Sequence, residues 1–185
     1  MVTATGSVIK VPTMYVDDTF EYAEVDGVKL VSLPLQDNGL RMVFVLPPSL
    51  PQLLENLSDE LFSGWLGAMR RSKVTVMMPK FDFTSDIELT SILQQLGLGI
   101  AFGSGADFSE ISTTHLEISR VIQKAKIQID EVGAEAAAVT AMFMTRGFNP
   151  NPEPKYEFFA DRPFAAFVLT QQNDVLFSAL VNRPA

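Results

Sequence analysis

The chain has 185 residues, enough for one domain with a sizeable core, and its 47% apolar content is that of a globular protein rather than a disordered one. A net charge of −8, with Arg70-Arg71 as a lone basic doublet, argues against a nucleic-acid footprint. No cysteine, no apolar run of about eighteen residues and no basic-then-apolar leader at Met1-Val-Thr-Ala-Thr-Gly6 leave no basis for disulfides, thiolate chemistry, a membrane span or a visible signal peptide.

The first element with a clear pattern is Val28–Leu35, where alternation is poor. Such a strand is expected to be covered on both faces. Leu40–Leu46 is a short apolar run bounded by Asn38-Gly39 and Pro47-Pro48. The Asn-Gly pair predicts a tight hairpin between the two strands. Ser58 followed by Asp59-Glu60 reads as a helix cap with acidic residues in the first turn. Asn56-Leu-Ser58 also spells an N-glycosylation acceptor, and both readings stand. Lys124–Ile129 alternates cleanly, with Ala125, Ile127 and Ile129 on one face of a half-buried strand. Strands outnumber helices, in an order that favours α+β over regular βαβ alternation.

Beyond Ile129 the pattern changes. Asp130-Glu-Val-Gly-Ala-Glu-Ala-Ala-Ala-Val-Thr140 loses all bulk, and the prolines Pro150, Pro152 and Pro154 follow. In an extended chain Ala134, Ala136, Ala138 and Thr140 share one side, with Glu135, Val139 and Ala141 on the other. A strand that slides into a packed sheet can carry only small groups on its inner face, and Gly133 supplies a backbone hinge.

Conventional catalytic signals are thin. His115 is the only histidine, and a turn or surface role suits it best. Gly97-Leu-Gly99 and Gly103-Ser-Gly105 read as a helix stop and loop turns rather than a dinucleotide fingerprint. There is no Gly-x-Ser-x-Gly elbow and no phosphate loop. The pairs Asp17-Asp18 and Asp59-Glu60 sit in turn or helix-start contexts, and the eight methionines read as core filler. No catalytic residue, metal or cofactor is expected.

Two stretches carry a family resemblance. Glu131-x-Gly133-Ala134-Glu135-Ala136-Ala137-Ala138-x-Thr140 resembles the serpin hinge, and Phe159-Ala-Asp-Arg-Pro-Phe164 resembles the signature that follows the serpin reactive loop. The likeness runs along the chain. Val11–Met14, Phe20–Tyr22, Val28–Leu35 and Leu40–Pro47 resemble the third strand of sheet C and the first three strands of sheet B. Leu50–Met69 resembles helices G and H, Val74–Phe81 the second strand of sheet C, and Leu89–Leu96 with Gly97 as its stop helix I. Ala106–Ser109 with Ile111-Ser112 resembles the turn before the strand that ends at the hinge.

The resemblance implies an α+β serpin fold in its C-terminal half: strands of sheets A, B and C, short helices G, H and I, and the reactive loop. Residues 1–185 would form the C-terminal part of a single serpin domain, with the loop at about 131–155. A complete serpin is longer, so an N-terminal half is an implied partner. The implied function is serine-protease inhibition by loop cleavage, acyl-enzyme trapping and strand insertion. Family spacing from Gly133 lands on Gly147, and the reactive bond is placed at Arg146-Gly147, because a guanidinium suits the acidic pocket of a trypsin-like protease. Phe143 or Phe148 would instead suit a chymotrypsin-like one. The parent is expected to be extracellular, with a cytoplasmic location left open, and neither nucleic acid nor membrane is an expected partner. Val132, Ala134, Val139, Gln123 and Ala165-Ala166 depart from the inhibitory pattern, though none puts a proline or a charge on the inserting face. The alternative is a non-inhibitory serpin-like binding or structural chain, or an inactive fragment that needs the complementary half.

Overall fold

A computed structural model describes residues 1, 6–35, 39–130 and 155–183, which form two compact units. The first, Met1–Asp82 with Gln128–Ala185, is built on a seven-stranded sheet. Its spine is β1, Thr13–Val25. Tyr-Val-Asp-Asp-Thr19 holds no glycine or proline, so the two stretches resembling separate strands run together as one. From Thr13 to Tyr22 this strand pairs antiparallel with β4, Arg70–Pro79. From Glu21 to Val25 it pairs with β2, Val28–Pro34. The link is a two-residue turn, Asp26-Gly27, with φ of 51° and 79°. Positive φ at both central residues is the hairpin geometry that matches strand twist.

The two strands expected to flank the Asn38-Gly39 turn do pair. β2 pairs antiparallel with β3, Arg41–Leu46, and the Leu35 amide donates to the Leu40 carbonyl at 3.0 Å. Asn38 itself lies outside the described residues, while Gly39 has a φ of 68°. The chain returns in β7, Lys155–Phe159, parallel to β4, then in β8, Phe164–Leu169, and β9, Val175–Val181. The strand order is β7-β4-β1-β2-β3-β8-β9.

Both faces of the middle strands are covered. Leu30 and Val31 are neighbours in β2 that point to opposite sides, and both are 0% exposed. Poor alternation thus marks a strand buried on both faces, as expected. On one side Leu30, Val43, Val45, Ala165 and Leu169 pack with Leu50, Leu53, Trp65 and Met69. These last come from and beside α1, Leu50–Asn56, and α2, Asp59–Ala68. Ser58 caps α2 by accepting from the Leu61 amide at 3.2 Å. On the other side lie Val31 and Phe44, with Phe164 ringed by Phe44 at 6.2 Å and Phe81 at 6.1 Å. The sheet curls far enough for Lys29 of β2 to donate to the Glu157 carbonyl of β7 at 3.1 Å. Arg41 ties three segments of this unit, reaching Glu21 at 2.9 Å, Ser32 at 3.3 Å and Asn173 at 2.6 Å.

The second unit, Phe83–Ile127, carries most of a two-stranded sheet of β5, Phe81–Glu88, and β6, Ile122–Ile129. Between them α3, Thr90–Leu93, runs into a wider turn at Gln94–Leu98. Gly97 breaks the helix as expected, at φ 96°. The chain does not stop there, because a 3-10 turn, Gly99–Phe102, takes up the helical sense again. The turn expected at Ala106–Ser112 is closed by the Ser109 amide on the Asp107 carboxylate at 3.1 Å and the Ser112 amide on the Phe108 carbonyl at 3.1 Å.

Phe44 is the largest wholly buried side chain of β3. Phe44→Ala is expected to lower the unfolding free energy by about 3–5 kcal/mol in denaturant titration, through lost transfer energy and the cavity left beside Phe164.

Candidate functional site

The expected hinge, Glu131, Gly133, Ala134, Glu135, Ala136, Ala137, Ala138 and Thr140, and the expected reactive bond, Arg146-Gly147, lie outside the described residues. The elements that bracket them are described. On the upstream side β6 ends at Ile129, with Ala125, Ile127 and Ile129 half-buried and Lys124, Lys126 and Gln128 exposed. This matches the alternation expected of it. Gln123, one of the expected departures from the inhibitory pattern, is exposed on the same strand. Lys124 pairs with Asp86 of β5 at 2.8 Å, an exposed pair worth little.

On the downstream side β7 is short but firmly held. Its register with β4 runs from Lys73↔Lys155 to Met77↔Phe159. Lys155 binds the Asp17 carboxylate of β1 at 2.5 Å, and Tyr156 stacks on Tyr22 with centroids 4.8 Å apart. Phe158 is 0% exposed, facing inward with Val76 of β4. Lys155 is thus anchored on one side of the strand, and Tyr156 and Phe158 on the other.

The signature Phe159-Ala-Asp-Arg-Pro-Phe164 is the turn that converts this edge strand into the sheet interior. The Ala160 amide donates to the Met77 carbonyl at 2.8 Å and the Asp161 amide to the Phe159 carbonyl at 2.8 Å. Arg162 donates through Nε to the Pro47 carbonyl at 2.9 Å and pairs with Asp161 at 3.2 Å. A guanidinium can serve a backbone carbonyl and a carboxylate at once, which a lysine could not do in one plane. Phe164 then enters the core at 0% exposure. Ala165-Ala166 are both fully buried and paired with Val45 and Phe44 of β3.

Other residues singled out in the sequence take ordinary places. His115 is exposed. Asn56 is exposed at the end of α1, where its amide donates to the Gln52 carbonyl at 2.7 Å, and the neighbouring Ser58 is the helix cap already described. A cleft of about 240 Å³ lined by Thr19, Glu21, Ser32, Arg41 and Arg71 has Arg41 committed to its structural bonds. Among the described residues no group of His, Cys, Asp or Glu is arranged to hold a metal ion, and no helix is long and apolar enough to cross a membrane.

Tyr22 was not singled out by sequence reading, yet it clamps β7. Burial, reinforced by the hydrogen bond of its hydroxyl to Glu24 at 3.1 Å, pushes its pKa well above the ordinary tyrosine range. A folded-state pKa raised above the unfolded value gives stability that is complete below the unfolded pKa of about 10 and is lost as pH rises beyond it. Stability is therefore expected to fall with pH above about 10, and Tyr22→Phe should remove that part of the slope in denaturant titrations at stepped pH.

Comparison with known proteins agrees with this geometry. The family model described as Serpin (serine protease inhibitor) matches residues 2–184. Iripin-3 of Ixodes ricinus is 38% identical over 161 residues, covering 84% of the chain and 40% of that protein. A serpin-like protein of Methanosarcina acetivorans, itself uncharacterized, is 37% identical over 183 residues, covering 95% and 42%. The human plasma serine protease inhibitor is 30% identical over 183 residues, covering 96% and 44%. Among solved structures, mouse protein-Z dependent protease inhibitor superposes with a TM-score of 0.73 at 27% identity, over 96% of this chain and 46% of that one. The chain thus spans less than half the length of the relatives it matches.

Proposed function

The chain belongs to the serpin family, and we propose that, within a complete serpin, it carries the bait loop of a serine-protease inhibitor. The observation that carries this reading is the composition of the segment between β6 and β7. After Asp130, the last described residue on the upstream side, come the hinge glycine and the alanine-rich run Ala134 to Ala138, then a stretch whose one basic residue before Lys155 is Arg146.

The proposed reaction is trapping rather than turnover. The protease serine attacks the Arg146 carbonyl, the Arg146-Gly147 peptide bond breaks, and the Gly147 amine leaves with the proton delivered by the protease. An ester then joins the protease to Arg146. Insertion of the hinge segment as an added strand competes with hydrolysis of that ester, drawing on backbone pairing and on strain stored in the uncleaved state. Small groups at Ala134, Ala136 and Ala138 make that insertion sterically free. Firm anchoring of β7 supports the same scheme from the other side, since the downstream end must stay put while the upstream end moves.

The second reading is a serpin that binds or supports without inhibiting. It draws on Val132, Ala134 and Gln123, three of the departures from the inhibitory pattern. The two readings diverge on complex formation with protease.

In the complete protein, Ala136→Arg is expected to turn inhibitor into substrate. Arginine on a packed inner face costs several kcal/mol of desolvation, so the ester hydrolyses before insertion finishes. Gel analysis under denaturing conditions reads this as loss of the covalent complex, and an undiminished yield would refute the inserting-strand account. Arg146→Ala is expected to slow inhibition of trypsin-like enzymes about 100-fold, because the pocket carboxylate is left unpaired. Mass spectrometry of the peptide released from the complex should show a new N-terminus at Gly147; one at Phe148 or Asn149 would move the reactive bond.

A further inference from the structure

One motif of the sequence lies at the break between α1 and α2. Asn56 closes α1 and Ser58 opens α2 as its cap. Between the two helices the backbone is extended, with Leu57 at φ −66°, ψ 120° and Ser58 at φ −128°, ψ 165°. Alone among the asparagines of the chain, Asn56 is followed two places on by Ser or Thr. Residues 54–56 and 58–60 are all exposed, while the helices pack on the sheet through Leu50, Leu53 and Trp65. The Asn56 Nδ2 donates to the Gln52 carbonyl at 2.7 Å. An amide nitrogen carries two hydrogens, so replacing one of them leaves that bond available. The Ser58 hydroxyl accepts from the Leu61 amide at 3.2 Å. Together with the backbone amide of Glu60, which contributes more, it also holds the Glu60 carboxyl below the usual carboxylate range.

We propose that Asn56 is the acceptor of an N-linked oligosaccharide, attached as the chain is exported and before α2 closes. The co-reactant is a lipid-pyrophosphate-linked oligosaccharide. The Asn56 Nδ2 attacks the anomeric carbon of its first sugar, and a C–N bond forms. The bond from that carbon to the pyrophosphate oxygen breaks, the lipid pyrophosphate leaves, and Nδ2 gives up one proton. The acceptor tripeptide needs the Ser58 hydroxyl as well as the Asn56 amide. In the folded chain that hydroxyl is committed to the first turn of α2, which sets the order: sugar first, cap second. Acceptor and cap are therefore successive uses of the same residue rather than alternatives. The product fits the fold, because the modified nitrogen keeps one hydrogen for Gln52 and the sugar departs from an exposed side chain. Nothing in this depends on whether the bait loop traps a protease.

The test uses the complete protein, made in a secreting eukaryotic cell behind an export leader. The tryptic peptide Met42–Arg70 is analysed by mass spectrometry after enzymatic release of N-linked sugars, which leaves aspartate where a modified asparagine stood. Aspartate at position 56 is expected in the unaltered protein, and no sugar on this peptide in Asn56→Gln. Ser58→Asp separates the two uses, since aspartate caps a helix as well as serine does but completes no acceptor. It is expected to lose the sugar and to melt at the same temperature as Asn56→Gln, whereas Ser58→Ala loses sugar and cap together and melts lower. Unmodified asparagine at 56 in the exported protein overturns the proposal, as does a sugar that persists in Ser58→Asp. The order is tested by offering the transferase and its lipid-linked oligosaccharide to complete protein already folded without sugar. No uptake at Asn56 is expected, and uptake equal to that during export would overturn the order.

Discussion

A thirteen-residue strand, Thr13–Val25, hydrogen-bonds to two different partners along its length, and that division sets the curl of the whole first unit. Its N-terminal stretch belongs to the β4 and β7 side, its C-terminal stretch to β2 and the strands beyond. Because one continuous backbone serves both, the sheet turns back on itself until Lys29 meets β7 and Phe44, Phe81 and Phe164 close the inner side. Leu30 and Val31 are then both buried. The helices α1 and α2 seal the opposite side through Leu50, Leu53 and Trp65.

That arrangement fixes the landing point of the loop more tightly than its take-off. β7 is a short edge strand in a parallel pairing, slightly weaker per residue than an antiparallel one. Its grip comes from side chains: an ion pair at Lys155, a ring stack at Tyr156, a buried Phe158 and the Arg162 turn. β6, by contrast, has half-buried Ala125, Ile127 and Ile129 on one face and exposed side chains on the other. The proposed inhibitor needs this asymmetry, with one end of the loop anchored and the other joined to a strand that can be extended.

Much of this was written in local patterns. The alternation at Lys124–Ile129, the doubly buried run at Val28–Leu35, the Asn38-Gly39 hairpin and the Ser58 cap each rest on interactions within a few residues. Asp26-Gly27 carried the same hairpin signal as Asn38-Gly39 and could have been read the same way. The lack of a breaker in Tyr15–Thr19 allowed one continuous β1, but its change of partners at Glu21-Tyr22 was not legible, because it depends on strands distant in sequence. Nor were Tyr22 and Arg41, whose roles depend on partners many residues away, such as Tyr156 and Asn173. The hinge and reactive bond rest on the sequence alone.

The central claim is that the segment after Asp130 becomes an added strand once the loop is cut. Its most direct test is the thermal midpoint of the complete protein before and after a single cleavage between residues 141 and 152, made with a protease that is then removed. Insertion converts a strained native state into one with additional strand pairing, so the cleaved protein is predicted to melt at a markedly higher temperature than the intact one. A cleaved protein that melts at the same temperature, or lower, would contradict the account.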